Sequence, residues 1–231
     1  MNNLLISGSS GKVGLYVRKL AKDYGFDVVC GVDANNFCDA DFPVYKTFSE
    51  VKENVDAIID FSSPSLALSA LCFARENAAA IVCGTTALKA EFYEQAKIAA
   101  KKIPVCVDSN FSRAVHVFAD AAQSLSQKLY DFDKALIETH NAKKKDSPSG
   151  TALFLSEKAQ IKQICSIRGG NVCGEHKIVF MGDGEQIEII HRATDKSVFA
   201  KGALKAAKFL LKEKVGFFSA DQALNIRALN I

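Results

Sequence analysis

The chain has 231 residues, 48% hydrophobic and 24% charged, enough for one large or two small domains with a real core. A formal charge of +3 is too mild for an electrostatic nucleic-acid surface, and no stretch interleaves aromatic with basic residues. The seven cysteines form no Cys-x-x-Cys and sit mostly in apolar runs, which points to reduced thiols in a cytoplasmic protein rather than a disulfide framework or zinc site. At the N-terminus, Met1 to Gly8 carries no basic segment and only a short apolar run. No uninterrupted stretch has membrane length, so neither a signal peptide nor a membrane partner is expected.

Leu4 to Gly8 has the composition of a buried strand. Gly8-Ser9-Ser10-Gly11-Lys12-Val13-Gly14 follows, and Val13, Val17, Leu20, Ala21 and Tyr24 then recur at helical spacing. Strand, glycine loop and helix form the context of a dinucleotide fingerprint, in which glycines let backbone N–H groups approach a pyrophosphate at the helix N-terminus. The spacing is Gly-x-x-Gly-x-x-Gly, which an ordinary glycine-rich turn also shows. The next strand, Asp27 to Val32, ends at Asp33, roughly 20 residues beyond the loop, where a carboxylate accepts ribose hydroxyls. A strand-end Asp capping a turn fits that position too.

Asn35 to Val44 has loop composition, and Phe48 to Asn54 suggests a short helix. Strands are expected at Ala57–Phe61, Ala80–Cys83 and Ile103–Val107, with helices opening at Ser62-Ser63-Pro64 and spanning Lys89 to Lys101. This alternation of apolar strands and helices predicts a doubly wound parallel sheet of Rossmann type. The polar words Gly84-Thr85-Thr86 and Asp108-Ser109-Asn110-Phe111 fall at strand C-terminal ends, where open α/β sheets bind ligands and where turn residues also belong.

From Ser112 the pattern changes, and it changes again near Phe199. Phe118, Ala121, Ala122, Leu125 and Leu129 mark a long helix, Ala135 to Thr139 a strand, and about Thr151 to Ile161 another helix. Gln163 to Gly174 is polar and glycine-containing. His176–Met181 and Glu185–Arg192 form a hairpin around Gly182-Asp183-Gly184, and Phe199 to Leu211 a last helix. These elements predict an α+β second domain.

The most informative word is Glu138-Thr-His-Asn-Ala-Lys-Lys-Lys-Asp-Ser-Pro-Ser-Gly-Thr-Ala152. It joins a His, three Lys and the opening of a helix, where Ser caps and Pro fits the first turn. Small residues at a helix N-terminus hold anions, and a nearby His and Lys can move protons. Taken alone, Lys143-Lys144-Lys145 is as readily a solvated basic loop.

This word resembles the signature of the dihydrodipicolinate reductase family at Glu138, His140, Lys144, Asp146, Pro148, Ser149, Gly150, Thr151 and Ala152, with Asn141 where the family has a second His. The glycine loop and the words through His191-Arg192-Ala193 and Phe199 to Ala203 also resemble it, with Lys196 at a position the family fills with Arg. The resemblance spans nearly the whole chain, although the segment between the 151–161 helix and Arg168 is compressed. It implies a reductase that transfers a hydride from NADH or NADPH to a cyclic dicarboxylate in diaminopimelate and lysine biosynthesis. It implies a dinucleotide domain of residues 1–111 completed by 200–231, a substrate and oligomerisation domain of residues 112–199, and a homotetramer. In this reading His140 and Lys144 are catalytic, and Asn141, Ser149, Gly150, Thr151 and Lys196 bind substrate. Gly8, Ser9, Ser10, Gly11, Lys12, Val13, Asp33, Gly84, Thr85, Thr86, Asp108, Ser109, Asn110 and Phe111 then line the cofactor.

Another two-domain dehydrogenase shares the glycine fingerprint but gives no reason for the His140 to Thr151 word. A non-catalytic nicotinamide sensor needs the cofactor site and neither His140 nor Lys144. Metal binding by His140, His176 and His191 lacks any tight ligand spacing, so no metal is expected.

Overall fold

A computed structural model describes residues 1–34 and 40–226. The chain divides into two compact units, Met1–Phe111 with Ser197–Asn225, and Ser112–Lys196. The second crossing comes at Ser197, the first residue of a helix, ahead of the expected change near Phe199.

In chain order the first unit opens with β1 (Asn2–Ser7), α1 (Lys12–Leu20), β2 (Phe26–Val32), β3 (Val44–Tyr45), β4 (Ala57–Asp60), α2 (Pro64–Glu76), β5 (Ala80–Cys83), α3 (Ala90–Ala99) and β6 (Pro104–Val107). The second unit holds α4 (Arg113–Lys128), β7 (Asp133–His140), α5 (Gly150–Ala159), β8 (Gln163–Arg168), β9 (Gly174–Met181) and β10 (Gln186–Ala193). The chain then returns to the first unit with α6 (Ser197–Leu210), β11 (Gly216–Phe218) and α7 (Ala220–Ala223).

The first unit is a seven-stranded parallel sheet in the order β11-β6-β5-β4-β1-β2-β3. Leu5, Ile58, Ile81 and Val105 are register partners across four strands and are all buried. Each such side chain contributes roughly 1.5–3 kcal/mol on leaving water, and runs buried on both faces explain the near-continuous apolar strands of the sequence. Strand order reverses between β1 and β4, which places a crevice at their C-terminal ends. Ser63 caps α2 by accepting from Leu66 N, with Pro64 in the first helical position, as its word predicts. Phe48 to Asn54 forms only a short 3₁₀ turn, Phe48–Glu50, and β3 is a two-residue edge strand that begins on the last residue of the expected loop. Residues 35–39 of that loop, and 227–231 of the expected C-terminal completion, lie outside the described residues.

The second unit is a four-stranded sheet in the order β10-β9-β7-β8, antiparallel except for the parallel β7–β8 pair. Ala119 and Ala122 of α4 and Ala152, Leu155 and Ala159 of α5 pack on Leu136, Ile178 and Phe180. β8 is a correction to the polar 163–174 reading. Gln163-Ile-Cys-Ser-Ile-Arg alternates between half-buried and exposed positions at the sheet edge, so it lacks the apolar run of an inner strand.

Candidate active site

At the end of β1, Gly8 takes φ +77°, and a Cβ there would lie 2.4 Å from the Phe61 carbonyl oxygen. A Cβ on Gly14 would lie 2.3 Å from the Gly8 carbonyl oxygen, so this glycine lets α1 close on the loop. The loop is tied by Gly8 N–H to the Val32 carbonyl at 2.8 Å and by Gly11 N–H to the Gly8 carbonyl at 3.0 Å. Asp33 is buried, and its Oδ2 accepts from Ser10 N–H at 2.9 Å. Asp33 therefore braces the glycine loop, the turn-capping alternative of the sequence reading, with at least one oxygen.

The loop suits a dinucleotide pyrophosphate on three observations. Gly11, the N-cap of α1, has no side chain to accept from the first-turn N–H groups, which include those of Lys12 and Val13. The Ser9 and Ser10 hydroxyl oxygens are buried without a hydrogen-bond partner. Lys12 stands exposed beside them. The Ser9 hydroxyl is turned toward β2, where a Cβ on Gly31 would lie 2.6 Å away.

Beyond β5, Thr85 is buried and hydrogen-bonded, whereas Thr86 is exposed. Gly84 faces the Phe61 ring, which a Cβ would approach to 2.2 Å. After β6, Asn110 is buried and its N–H donates to Asp108 Oδ1 at 2.9 Å, while Ser109 is exposed. Phe111 has no exposed surface and sets its ring edge-on to Phe61 at 6.1 Å. Its side chain packs within the first unit.

The second unit gathers a different chemistry. Glu138 on β7 is wholly buried. Its Oε1 accepts from Arg168 at 2.7 Å and from Ser149 N–H at 3.2 Å; its Oε2 accepts from Arg168 at 3.0 Å and meets His140 Nδ1. Burial raises the Glu138 carboxyl, but hydrogen bonds led by Arg168 outweigh it and bring the pKa down to about 2. The carboxylate therefore accepts the Nδ1 proton of His140. Nε2 faces Gly174, where even a Cβ would stand 3.1 Å away. Burial lowers the His140 pKa, the Glu138 carboxylate opposes this, and Lys144 and Arg168 add to the lowering. Next to it His176 on β9 is 4% exposed, and burial drives its pKa down to about 3.

Lys144 forms a 2.8 Å ion pair with Asp146, whereas Lys143 and Lys145 are exposed. That distinguishes among the three lysines. Asn141 braces the loop: its Oδ1 accepts from Lys143 N–H at 3.1 Å and its carbonyl from Lys144 N–H at 3.1 Å. Ser149 is the N-cap of α5, its hydroxyl accepting from Ala152 N–H at 3.1 Å. Pro148 precedes that cap, joined through a cis Ser147–Pro148 bond, so it does not occupy the helix's first turn. With its N–H on Glu138 and its hydroxyl on the cap, Ser149 organises the helix start. Gly150 and Thr151 are half-buried in its first turn, and a Cβ on Gly150 would meet nothing within 4 Å. Among the described residues Lys196 makes no hydrogen bond or ion pair with this cluster; it lies near Cys173, whose thiol it influences.

The dihydrodipicolinate reductase N-terminal family model matches residues 2–111 and its C-terminal counterpart matches residues 114–224. The chain belongs to the dihydrodipicolinate reductase family. It is an oxidoreductase of that family, and residues 2–111 are its NAD(P)-binding domain. A curated 4-hydroxy-tetrahydrodipicolinate reductase of Caldanaerobacter subterraneus subsp. tengcongensis is 36% identical, with 96% of this chain and 97% of that protein covered. The solved dipicolinate-bound dihydrodipicolinate reductase of Paenisporosarcina sp. TG-14 shares the fold at TM-score 0.79 and 21% identity, covering 98% of this chain and 100% of that one. An engineered D-amino acid dehydrogenase bound to NADP+ shares it less closely, at TM-score 0.57 and 13% identity over 99% of this chain and 97% of that one.

Sequence reasoning gave no role to Glu138, Arg168 or His176. Glu138 stood inside the quoted family word, but its partner Arg168 comes from an edge strand that composition concealed. For His176, the usable signal was a polar residue at an inward position of an alternating strand.

Proposed function

We propose that this chain is a cytoplasmic 4-hydroxy-tetrahydrodipicolinate reductase that uses NADH and NADPH to make tetrahydrodipicolinate, with the first unit holding cofactor and the second holding substrate. The observation that carries this reading is the Glu138 cluster: one buried carboxylate fixes the catalytic His, the α5 N-cap and Arg168 together. When bound, the nicotinamide supplies the hydride. Gly150 and Thr151 N–H groups at the start of α5 receive one carboxylate of the dicarboxylate ring, where the helix dipole favours negative charge. The Lys144 ammonium holds the charge that develops as the hydride reaches the ring, whose 4-hydroxyl leaves as water, and donates a proton to it. His140, kept neutral by burial and with Nδ1 committed to Glu138, offers Nε2 as the proton acceptor of the pair. Arg168 neutralises Glu138 and also donates to the Asp146 carbonyl at 2.7 Å, so it ties β8 to the loop that carries Lys144.

The cytoplasmic placement rests on the six described cysteines, all free thiols, and on the pathway. Among the described residues no helix is long and apolar enough to cross a membrane. The tetramer rests on the family and on the face of the second sheet opposite α4 and α5. There Cys165, Ile137, Lys177 and Ile190 are register partners, and Ile167 and Ile190 are 46% and 41% exposed.

The test is turnover of 4-hydroxy-tetrahydrodipicolinate, generated in situ, with each cofactor. Oxidation of the cofactor at an enzyme-like rate, lowered on the order of 10²-fold or more in Lys144→Ala, is the expected result. Tight cofactor binding without turnover would overturn the reading in favour of a nicotinamide sensor.

A further inference from the structure

Asp60 ends β4 with no exposed surface, and no cation pairs with it among the described residues. A buried carboxylate without a counter-ion must replace its lost water with hydrogen bonds. Two donors meet each oxygen. Oδ1 accepts from the Ser7 hydroxyl at 2.6 Å and from the Ser62 hydroxyl. Oδ2 accepts from the Thr85 hydroxyl at 2.6 Å and from the Cys83 thiol at 3.2 Å. The Thr85 hydroxyl also accepts from Ser62 N–H at 2.8 Å. A hydroxyl has one proton, so the cleanest pattern is directional: Ser62 N–H gives to Thr85, and Thr85 gives to Asp60.

Ser7, Asp60 and Cys83 are register partners across β1, β4 and β5, at the point where strand order reverses. Ser7 leads directly into the glycine loop, Ser62 opens the turn after β4, and Thr85 lies in the turn after β5. One carboxylate therefore ties three ligand-facing turns. We propose that Asp60 is a positioning residue for the nicotinamide dinucleotide, holding these turns in the arrangement that binds it. The inference rests on the cofactor reading above and places Asp60 outside the proton chemistry.

The variants are Asp60→Asn, Thr85→Val and Thr85→Ser in the full chain. Asparagine keeps the shape but turns one acceptor into a donor facing two donors. Valine removes the directional hydroxyl, and serine restores it. The measurements are Kd for NADH and NADPH by fluorescence, KM for cofactor and for dicarboxylate, kcat, and thermal unfolding. Asp60→Asn and Thr85→Val should each weaken cofactor binding about tenfold, the scale of one buried hydrogen bond to a charged group. For Asp60→Asn, kcat at saturating cofactor and the dicarboxylate KM should stay within about threefold. Thr85→Ser should recover most of the loss, and the double variant should lose less than the product of the singles. Unchanged cofactor Kd in the folded variants, whatever their melting temperatures, would reduce Asp60 to a structural role. If Asp60→Asn fails to fold, Ser7→Ala, which removes a donor to Asp60 Oδ1 from a residue outside the expected cofactor contacts, decides on the same criterion. Wild-type protein that binds neither cofactor would instead remove the functional reading, and this inference with it.

Discussion

The sheet ends that carry the candidate site residues are built from opposite materials. At the end of the seven-stranded sheet the polar groups are hydroxyls, a thiol and backbone N–H groups, and both buried aspartates accept from the chain's own donors. At the end of β7 a buried carboxylate is surrounded by a guanidinium, an imidazole and an N-cap, with a lysine–aspartate pair on the same loop. Neutral donors fix geometry without titrating, which suits the holding of a cofactor. Charged groups in low dielectric can shift protons, but they make the fold depend on every partner being present. The two regions should therefore fail in different ways when mutated.

The largest effect belongs to the charged cluster. Lys144→Ala or His140→Ala should lower kcat on the order of 10²-fold or more, the scale of one positioned acid or base, with cofactor Kd nearly unchanged. Activity within a few-fold of wild type in both variants would dissolve the functional difference between the regions. Arg168→Met should cost about 3–5 kcal/mol by stranding Glu138 without its counter-ion, a large part of a typical folding margin of roughly 5–15 kcal/mol. Adding Glu138→Gln should return much of that stability in urea titrations but none of the turnover. A double variant no more stable than Arg168→Met alone would mean that the ion pair is not what stabilises this sheet end.

Acid should separate the regions further. His176 has a folded pKa near 3, below its ordinary 6.5, so its folded form stays neutral while the unfolded chain takes up a proton. Its contribution is complete above pH 6.5 and is lost as pH falls toward 3. Glu138 adds to the same trend, since its folded value near 2 lies below 4.5 and its contribution fades between those values. Melting temperature should therefore fall steadily from pH 7 to pH 4, and His176→Phe should flatten the slope. A slope identical in wild type and variant would place the acid sensitivity elsewhere.

The same contrast explains what could be read from the chain alone. β1, α1, β4, α2 and β5 announce themselves through local periodicity and caps, because an apolar parallel strand or a Ser-Ser-Pro helix start needs no distant partner to be recognised. His140 and Lys144 were legible because one loop carries both. Arg168 was not, because its meaning lies in a carboxylate 30 residues away that it meets only through the parallel β7–β8 pairing. Asp60 was hidden in the same way, its four donors coming from three strand ends. What could have betrayed it is a charged residue inside an otherwise apolar parallel strand.

The face proposed to associate offers a smaller, independent test. Ile190→Glu, directly across β9–β10 from Lys177, should shift a tetramer toward smaller species in light scattering while leaving secondary structure intact. An unchanged mass would remove this face from the assembly.

Cofactor choice should show the smallest effect, because it tests a site that works mainly through neutral donors. Asp33 follows β2 and already accepts from Ser10 N–H, and the exposed Ala34 after it offers no cation to a ribose 2′-phosphate. Lys12, exposed at the start of α1, is the nearby cation that the glycine loop itself provides. A phosphate facing Asp33 with a single lysine gains less than it would from a bidentate arginine. NADH should therefore be used at least as well as NADPH, with both accepted. Lys12→Ala should weaken NADPH more than NADH, and Ala34→Arg should shift preference toward NADPH. The measurement is kcat/KM for each cofactor at fixed ionic strength, because phosphate contacts are screened by salt. A wild-type preference for NADPH above about tenfold, equivalent to about 1.4 kcal/mol, would mean that Asp33 serves only to brace the glycine loop and leaves the ribose unread.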